Sequence, residues 1–410
     1  MRQTNISTKI LIRLCIGLLI CFQTGSISAQ AGCTDQQATN FDPLATLNDG
    51  SCTYPPTTYT LDLVADLSET LVETSGLAFL DGSLWTHNDG GNPDVIYRID
   101  TLNGDILQSV IIATAFNQDW EDMAQDDQYL YVGDFGNNSG DRQDLVIYRI
   151  LRSDLGSNVV NADVIQFSYE DQTTFNSLPY QTNFDCEAFF VKDDSLHLFT
   201  KHWVDYKTKH YVLPAEPGTQ VAALRDSLDV QLLITGADMG ENGEVILLGW
   251  NPVTGNSAFW LLFDYPNQNI FKGNKRRINL GYASLNSQPE GISFSSAYEG
   301  FISSENFLSY PQRLLRFSIE SWVSNIVSTH STPPSLHLQI APNPSENTLC
   351  LQGLEQHSDI QISVLDTQGK LVYGPTKIKG ACVNTGLQSG LYFVRFREGN
   401  ANQTLKWICK

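Results

Sequence analysis

Five acidic residues recur at comparable places along residues 58–325, and they are the side chains of this sequence best suited to chemistry. Each opens a stretch of small and apolar residues, and successive acids stand 48, 66, 51 and 52 positions apart. They are Glu73, Glu121, Glu187, Asp238 and Glu290. The longest interval contains an insertion, SYEDQTTFNSLPYQTN, which explains its length.

Carboxylates at matched positions of a repeat have a defined chemistry when the fold brings them together. They repel and raise one another's pKa values unless a proton or a cation lies between them. A roomy set of oxygen ligands suits calcium better than zinc or magnesium. The five acids therefore predict a metal site for calcium. The alternative is that each acid accepts hydrogen bonds from neighbouring strands and only ties the fold together.

A second set of polar residues ends the strand that follows each acidic opening. The residues predicted to face a common ligand site are His87, Asp89, Asp134, Lys201 and His202. A histidine beside a metal-bound water would act as a general base in ester hydrolysis. The alternative is that these residues satisfy backbone groups of the loops.

The elements that must position these residues are short alternating strands such as LWTHND, YLYVGD and VILLGW. A repeat of roughly fifty residues with four strands is the size of a propeller blade. The sequence predicts an all-β protein with a five-bladed β-propeller over 57–327, in which 59–67 supplies the outer strand of the last blade. A six-bladed ring with one degenerate blade is the alternative, and a β-sandwich or jelly roll ranks third.

The acidic openings resemble those of exported propellers, namely the esterase-like, phytase-related domains and the SdiA-regulated proteins. The sequences ETSGL at 73–77 and EGI at 290–292 match these families well, EAF at 187–189 matches more loosely, and Asp238 departs from the pattern. The resemblance covers most of 68–318. It implies an acidic site facing the channel, with calcium, and it identifies no catalytic residue.

The start of the chain has the parts of a secretory signal. Basic residues precede the apolar run LCIGLLICF, and small residues at 29–31 provide a cleavage site. We therefore predict a signal peptide over 1–31. Export permits disulfides, and the expected pairs are Cys33–Cys52 and Cys350–Cys382, with Cys186 and Cys409 free.

The segment 32–56, GCTDQQATNFDPLATLNDGSCTYPP, resembles a short module bounded by cysteines that is frequent in secreted proteins of bacteria with type IX secretion. It has too little core to fold without its disulfide. Asp42, Asn48 and Asp49 offer oxygen ligands to calcium. The alternative, which we favour, is a stapled spacer in which these side chains make turns.

The last segment, 336–410, reads as a small β-sandwich that follows a Thr/Ser/Pro linker at 328–335. Its sequences PNP at 342–344, DTQGK at 366–370 and SGLY at 389–392 resemble the type A C-terminal sorting domain of type IX secretion cargo. The resemblance implies recognition by the type IX secretion machinery, removal of the domain, and release or attachment to surface lipopolysaccharide. The protein is therefore expected to be secreted or held at the outer cell surface.

Composition and missing motifs narrow the function. The formal net charge of −20 argues against a nucleic-acid partner, because phosphate contacts need a basic surface. The sequence contains no GxSxG, HExxH or phosphate-loop pattern. Two hypotheses remain. The first is a binding propeller for a glycan, a peptide or a small molecule. The second is a calcium-dependent esterase or phosphoesterase. The lack of a complete catalytic set favours the first.

Overall fold

The computed structural model describes residues 29–267, 269–282, 288–307, 310–323, 338–353, 360–367, 370–378, 380–398 and 401–410. The chain divides into two compact units, Met1–Trp322 and Val323–Lys410. The predicted linker at 328–335, and all but the last residues of the predicted signal peptide, lie outside the described residues. No described helix combines the length and the apolar character that a membrane span needs.

The first unit begins with four short strands, β1 (Ala31–Gly32), β2 (Leu47–Asn48), β3 (Thr57–Thr58) and β4 (Asp62–Asp66). The repeated part of the chain follows. Its described residues form five antiparallel meanders, which are numbered here in chain order. Meander 1 contains β5 (Thr74–Leu80), β6 (Ser83–Asn88), β7 (Val95–Ile99) and β8 (Ile106–Ile112).

The other meanders repeat this plan. Meander 2 contains β9 (Trp120–Gln125), β10 (Tyr129–Asp134), β11 (Val146–Leu151) and β13 (Asp163–Tyr169), while β12 (Val159–Val160) pairs with β8. Meander 3 contains β14 (Asp185–Lys192), β15 (Ser195–Lys201), β16 (Thr208–Pro214) and β17 (Gly218–Leu228). Meander 4 contains β18 (Leu233–Met239), β19 (Val245–Trp250), β20 (Asn256–Phe263) and β21 (Asn274–Tyr282). Meander 5 contains β22 (Gln288–Phe294), β23 (Glu299–Glu305) and β24 (Arg313–Ser318).

The chain closes this arrangement with its own N-terminal segment. Strand β4 pairs antiparallel with β24 and is the outer strand of meander 5, as predicted from residues 59–67. The first strands lie next to one another in a closed cycle, in which β5 contacts β9, β9 contacts β14, β14 contacts β18, β18 contacts β22 and β22 contacts β5. The fold is all-β and propeller-like.

Packing between meanders follows the alternation of the strands. Apolar side chains of meanders 1 and 2 share one buried cluster, which includes Trp85 and the fully buried Trp120. Similar clusters join meander 2 to meander 3 around Phe135 and meander 3 to meander 4 around Phe199. Burial of this apolar surface stabilises the ring by roughly 25 cal/mol per Å². Among the described residues, helical structure is limited to short turns at Glu69–Leu71, Arg152–Asp154 and Ile270–Lys272 and to α1 (Glu320–Val323).

The cysteine-bounded module packs against meander 4. Its disulfide, Cys33–Cys52, is present as predicted. Asn48 Nδ2 donates to Asp264 Oδ2 at 2.9 Å, and Arg276 Nη1 donates to Gln37 Oε1 at 2.6 Å. The side-chain oxygens considered for calcium accept backbone N–H groups two residues ahead, which are those of Leu44, Gly50 and Ser51. These contacts are those of the expected turns.

The described residues of the second unit form two antiparallel sheets. One contains β25 (Gln339–Ile340), β26 (Thr348–Gln352) and β29 (Cys382–Asn384). The other contains β27 (Gln361–Leu365), β28 (Leu371–Lys377), β30 (Gly390–Glu398) and β31 (Ala401–Cys409). Their shared core surrounds the fully buried Trp407. The predicted disulfide Cys350–Cys382 is present, and Cys186 and Cys409 are free, as expected.

Candidate functional site

A β-bulge near the start of each first strand positions the site. The register between the first and second strand shifts at this point in all five described meanders. A bulge leaves a residue unpaired and changes the direction of its side chain. The first unpaired residues at the bulges, in chain order, are Ser75, Glu121, Glu187, Thr235 and Glu290. In meanders 1 and 5 the next residue, Gly76 or Gly291, is unpaired as well.

The two hydroxyl residues at these bulges connect neighbouring meanders. Ser75 Oγ donates to the carbonyl of Glu121 in meander 2. Thr235 Oγ1 donates to the carbonyl of Pro289 in meander 5 at 2.8 Å. Both hydroxyl residues are buried. At these two positions the bulge residue therefore ties the ring together and provides no charge.

The three glutamates at the other bulges line a common cavity of about 310 Å³. Its remaining lining residues come mainly from the ends of second strands and the loops beyond them, and they are Ser75, Asp89, Asn138, Tyr180, Lys201, Trp203, Trp250, Gln288 and Glu305. The sequence had predicted that acids of the first strands converge, and Glu121, Glu187 and Glu290 do so.

Further carboxylates reach this region from the positions two residues before a bulge. Asp119 precedes Glu121, and Asp185 precedes Glu187. Carboxylate oxygens of Asp89, Asp119 and Glu121 lie within 4.8 Å of one another, and so do those of Glu121, Asp185 and Glu187. Glu121 belongs to both groups. Three carboxylate oxygens at such distances can surround one metal ion.

Glu121 is buried without a partner. Its side chain is 5% exposed, and it accepts no hydrogen bond from any residue that the structure describes. Burial raises its pKa well above the usual value, and the charges of Glu187 and Asp89 raise it further. Burial, with the charges of Asp89 and Asp185, also raises the pKa of Asp119 to about 7. A buried carboxylate with no donor is costly, so this pair of side chains has the chemistry of a cation-binding site.

Glycine at position 136 leaves room for these carboxylates. A Cβ atom at Gly136 would lie 2.1 Å from Glu121 Oε1 and 2.4 Å from Asp119 Oδ2. Any larger residue would push both groups away, because real Cβ contacts are never this short. Gly136 follows the end of β10. The backbone of meander 2 is thus shaped around the two side chains.

The second carboxylate group has partners. Lys201 forms a buried ion pair with Glu187, and its Nζ lies 4.8 Å from the centre of the Trp203 ring. Trp203 Nε1 donates to Asp185 Oδ2 at 2.7 Å. Burial lowers the pKa of Lys201, but the charges of Glu187 and Asp185 outweigh it and raise that pKa above its usual value. Asp185 and Glu187 therefore have direct donors within the protein, whereas the side chains of Asp119 and Glu121 accept no hydrogen bond from a described residue and feel Arg142 and Lys201 only at longer range.

Two of the predicted metal ligands lie away from the cavity. Glu73 stands two residues before its bulge, is exposed, and accepts a hydrogen bond from Asn92 Nδ2 at 2.7 Å. Asp238 stands three residues after the bulge residue Thr235, and its Oδ2 accepts the N–H of Phe294 at 2.7 Å. Glu73 and Asp238 therefore occupy different positions relative to their bulges from Glu121, Glu187 and Glu290, although the sequence repeat aligns all five acids.

The predicted ligand-site residues also separate into two groups. Asp89 and Lys201 line the cavity. Three others do not line it and have structural partners: His87 Nδ1 contacts the carbonyl of Asn88 at 2.9 Å, Asp134 pairs with Arg142 at 2.8 Å, and His202 Nδ1 contacts Asp205 at 2.9 Å. Burial lowers the pKa of His87 to about 4 and also lowers that of His202. No described residue lining the cavity is a histidine.

Several residues of the site were missed from sequence. Asp119 and Asp185 had a signal, because two meanders read Asp-x-Glu across the bulge. Glu305 ends its second strand at the place where Lys201 ends β15. Tyr180 had no such signal, since it comes from the insertion, and its ring centre lies 4.6 Å from that of Trp203.

Comparison with known proteins identifies the second unit. Residues 339–410 match the family model described as the secretion system C-terminal sorting domain. The protein is therefore type IX secretion cargo, exported to the cell surface or the extracellular space. Comparison with curated proteins gives no significant match.

Solved structures with partial similarity include three bacterial proteins. A gluconolactonase from Xanthomonas campestris shares 12% identity over 60% of this chain and 72% of that chain, with a TM-score of 0.33. A GH43_1 enzyme from Xanthomonas citri shares 13% identity over 64% of this chain and 91% of that chain, with a TM-score of 0.35. A quinoprotein alcohol dehydrogenase-like protein from Bacteroides thetaiotaomicron shares 12% identity over 78% of this chain and 68% of that chain, with a TM-score of 0.31. At these TM-scores the similarities assign neither a fold nor an activity to this chain.

Proposed function

We propose that this protein is an exported ligand-binding β-propeller of five blades, with calcium bound in the acidic cavity at one end of its ring. Five meanders in a closed cycle, with β4 completing the last, support the number of blades. The two sheets of the second unit support a small β-sandwich that serves as the sorting domain. After its removal, the protein would be released or attached to lipopolysaccharide.

The observation that carries the calcium proposal is the unpartnered Glu121. Its carboxylate lies within 4.8 Å of those of Asp89 and Asp119, and these three side chains would hold the ion. Calcium accepts carboxylate oxygens in flexible geometry, whereas magnesium demands near-ideal octahedral coordination. When bound, the ion would place a positive charge among these three carboxylates and would lower their pKa values.

Lys201 gives the cavity an asymmetry that favours one ion over two. Its ammonium group already neutralises Glu187, and Trp203 holds Asp185. A second ion at this group would have to displace Lys201 or repel it. The proposal therefore assigns the ion to the group formed by Asp89, Asp119 and Glu121.

Titration calorimetry with calcium chloride on the full exported chain tests this proposal. The wild-type protein, stripped with EDTA, should bind one ion, and Glu121→Gln should abolish the binding. Glu73→Gln is the matched control, because Glu73 was also predicted from sequence but lies outside the cavity, and it should bind within about twofold of wild type. Equal calcium binding by wild type and Glu121→Gln would overturn the proposal.

The alternative function, a calcium-dependent ester hydrolase, has less support. Its proposed general bases were His87 and His202, and neither of them lines the cavity. Both are engaged with neighbouring groups and are held neutral by burial. Binding without turnover is therefore the function that this geometry supports best.

A further inference from the structure

The carboxyl groups of the cavity outnumber the positive charges that one calcium ion and Lys201 supply. Together they supply three positive charges. The cavity and its two carboxylate groups contain seven carboxyl groups, those of Asp89, Asp119, Glu121, Asp185, Glu187, Glu290 and Glu305. Lys201 is the one basic residue among the described residues that line the cavity. An anionic ligand is thereby disfavoured, because like charges at close range repel strongly in a partly buried site.

Two of these carboxyl groups, those of Glu290 and Glu305, belong to meander 5. Glu290 is 8% exposed; its Oε1 accepts a hydrogen bond from Gln288, and no described residue donates to its other oxygen. Burial raises the pKa of Glu290, and the nearby charge of Glu305 raises it further. Burial also raises the pKa of Glu305, to about 7, and the charge of Asp89 adds to this effect. The charge of Lys201 offsets these effects only in part, so the two glutamates can receive a cation that arrives from outside.

Aromatic side chains provide the remaining walls. Trp203 and Trp250 line the cavity, and so does Tyr180, which is 60% exposed and whose ring is tilted by 59° against that of Trp203. Aromatic faces attract cations and also cover the apolar stem that carries them. A neutral sugar would use such faces too, but it would leave the glutamates without a counter-charge.

We infer that the ligand of this cavity carries a guanidinium or ammonium group, which Glu290 and Glu305 bind between the aromatic walls. A planar guanidinium fits best, because it pairs with carboxylates through two parallel hydrogen bonds and stacks on aromatic rings. The inference rests on the proposed ligand-binding cavity and adds the class of its ligand. The group could belong to a free amine or to a basic side chain of a peptide.

Titration calorimetry of the full chain with matched probes tests the inference. The probes are a blocked pentapeptide with one central arginine, the same peptide with neutral citrulline in its place, and agmatine as a free guanidinium compound. Each is titrated at saturating calcium and again in EDTA. The arginine peptide should bind at least about tenfold more tightly than the citrulline peptide in both conditions. Agmatine binding within about threefold of the arginine peptide would indicate a free amine as the ligand, and weaker agmatine binding would indicate a peptide.

Variants on one strand locate the contact. Glu305→Gln should weaken binding of the arginine peptide by about tenfold or more, since it removes a charge-assisted hydrogen bond. Glu299→Gln is the matched control, because Glu299 is an exposed acid at the other end of the same strand, β23, and it should have no effect.

The outcomes separate this inference from the proposed function. Equal binding of the arginine and citrulline peptides would overturn the inference while leaving a ligand-binding cavity. Failure of every probe, together with normal heats for calcium, would overturn the inference while leaving the calcium site. Failure of every probe and of calcium would overturn both. Because the peptide comparison uses wild-type protein, a folding defect in a variant cannot mimic these results.

Discussion

Two sets of bulges in the same ring use one backbone position for different purposes. In meanders 1 and 4 the bulge residues are Ser75 and Thr235, and their hydroxyl groups donate to backbone carbonyls of the next first strand in the ring. In meanders 2 and 3 the bulge residues are Glu121 and Glu187, which line the acidic cavity. Both sets lie at a backbone bulge. The hydroxyl residues stabilise the ring, whereas the glutamates place buried carboxyl groups in the cavity.

This difference shows that a recurring position in a repeat does not imply a recurring role. The sequence left two alternatives open for the recurring position, a tie between strands and a ligand for a cation. The tie is found in meanders 1 and 4, and the carboxylates proposed for a cation lie in other meanders. The hydroxyl residues satisfy backbone groups at little electrostatic cost. The glutamates carry a desolvation cost that only a counter-charge offsets.

The largest effect should come from exchanging the two roles. Glu121→Ser copies Ser75 and removes the carboxylate that both acidic groups share. We expect calcium affinity to fall at least about 100-fold, beyond the range typical of outer partners of a metal site. Thermal unfolding in EDTA should occur at a higher temperature than in wild type, since an uncompensated buried charge is gone. Calcium titration and calorimetric unfolding measure the two effects, and unchanged affinity would remove the proposed distinction.

Asp238 sharpens the comparison, because it is a buried acid that has backbone donors. Burial raises its pKa to about 6, although hydrogen bonds from Phe294 and Met239 lower it. The folded state therefore binds this proton more tightly than the unfolded state, and stability falls as pH rises from about 4 to 6 and then levels off. Asp238→Asn should remove roughly 2–3 kcal/mol of that decline. Denaturant unfolding in EDTA at pH 4, 5, 6 and 7 measures it, and parallel profiles would contradict the assignment.

A smaller loss of calcium affinity is expected from a change at Gly136, whose missing side chain makes room for Glu121 and Asp119. Gly136→Ala introduces a Cβ atom in contact with Glu121 and Asp119. Calcium affinity should fall about tenfold, which corresponds to about 1.4 kcal/mol. Gly156→Ala is the control, because a Cβ atom there meets nothing within 4 Å. If both variants bind calcium like wild type, then the position of these carboxylates does not matter for the ion.

The smallest effect should come from the hydroxyl set. Thr235→Val removes the hydrogen bond to the carbonyl of Pro289 and should cost about 1 kcal/mol of unfolding free energy. Thr235→Ser retains the donor and should lose less. Calcium affinity should stay within about twofold of wild type in both variants. A large loss of calcium binding would show that the hydrogen bond of Thr235 is needed for the calcium site as well as for the stability of the ring.

Much of this arrangement was accessible from sequence, and what was not has a common physical cause. The repeat length and the alternating strands predicted the all-β fold and the closing role of β4. Glu121, Glu187, Glu290, Asp89 and Lys201 were predicted and line the cavity. Glu73 and Asp238 do not, because the position of a bulge depends on pairing with the second strand and leaves no mark on composition.

The histidines and Tyr180 illustrate the other difficulty. His87 precedes the last residue of β6 and His202 follows the last residue of β15, whereas Lys201 ends β15. Both histidines contact structural partners and do not line the cavity. Tyr180 reaches the cavity from an insertion whose path is set by tertiary contacts, such as that between its backbone N–H and the carbonyl of Asn138. Neither feature can be derived from local pattern.

The central claim is that the bulge residue Glu121, unlike the hydroxyl residues Ser75 and Thr235, helps to form a site for a cation. A crystal structure of the protein grown with calcium, with anomalous difference density collected at long wavelength, tests it most directly. The account predicts one peak within about 2.3–2.6 Å of carboxylate oxygens from Glu121, Asp119 and Asp89. A cavity free of anomalous density at saturating calcium, with Glu121 still unpartnered, would contradict it.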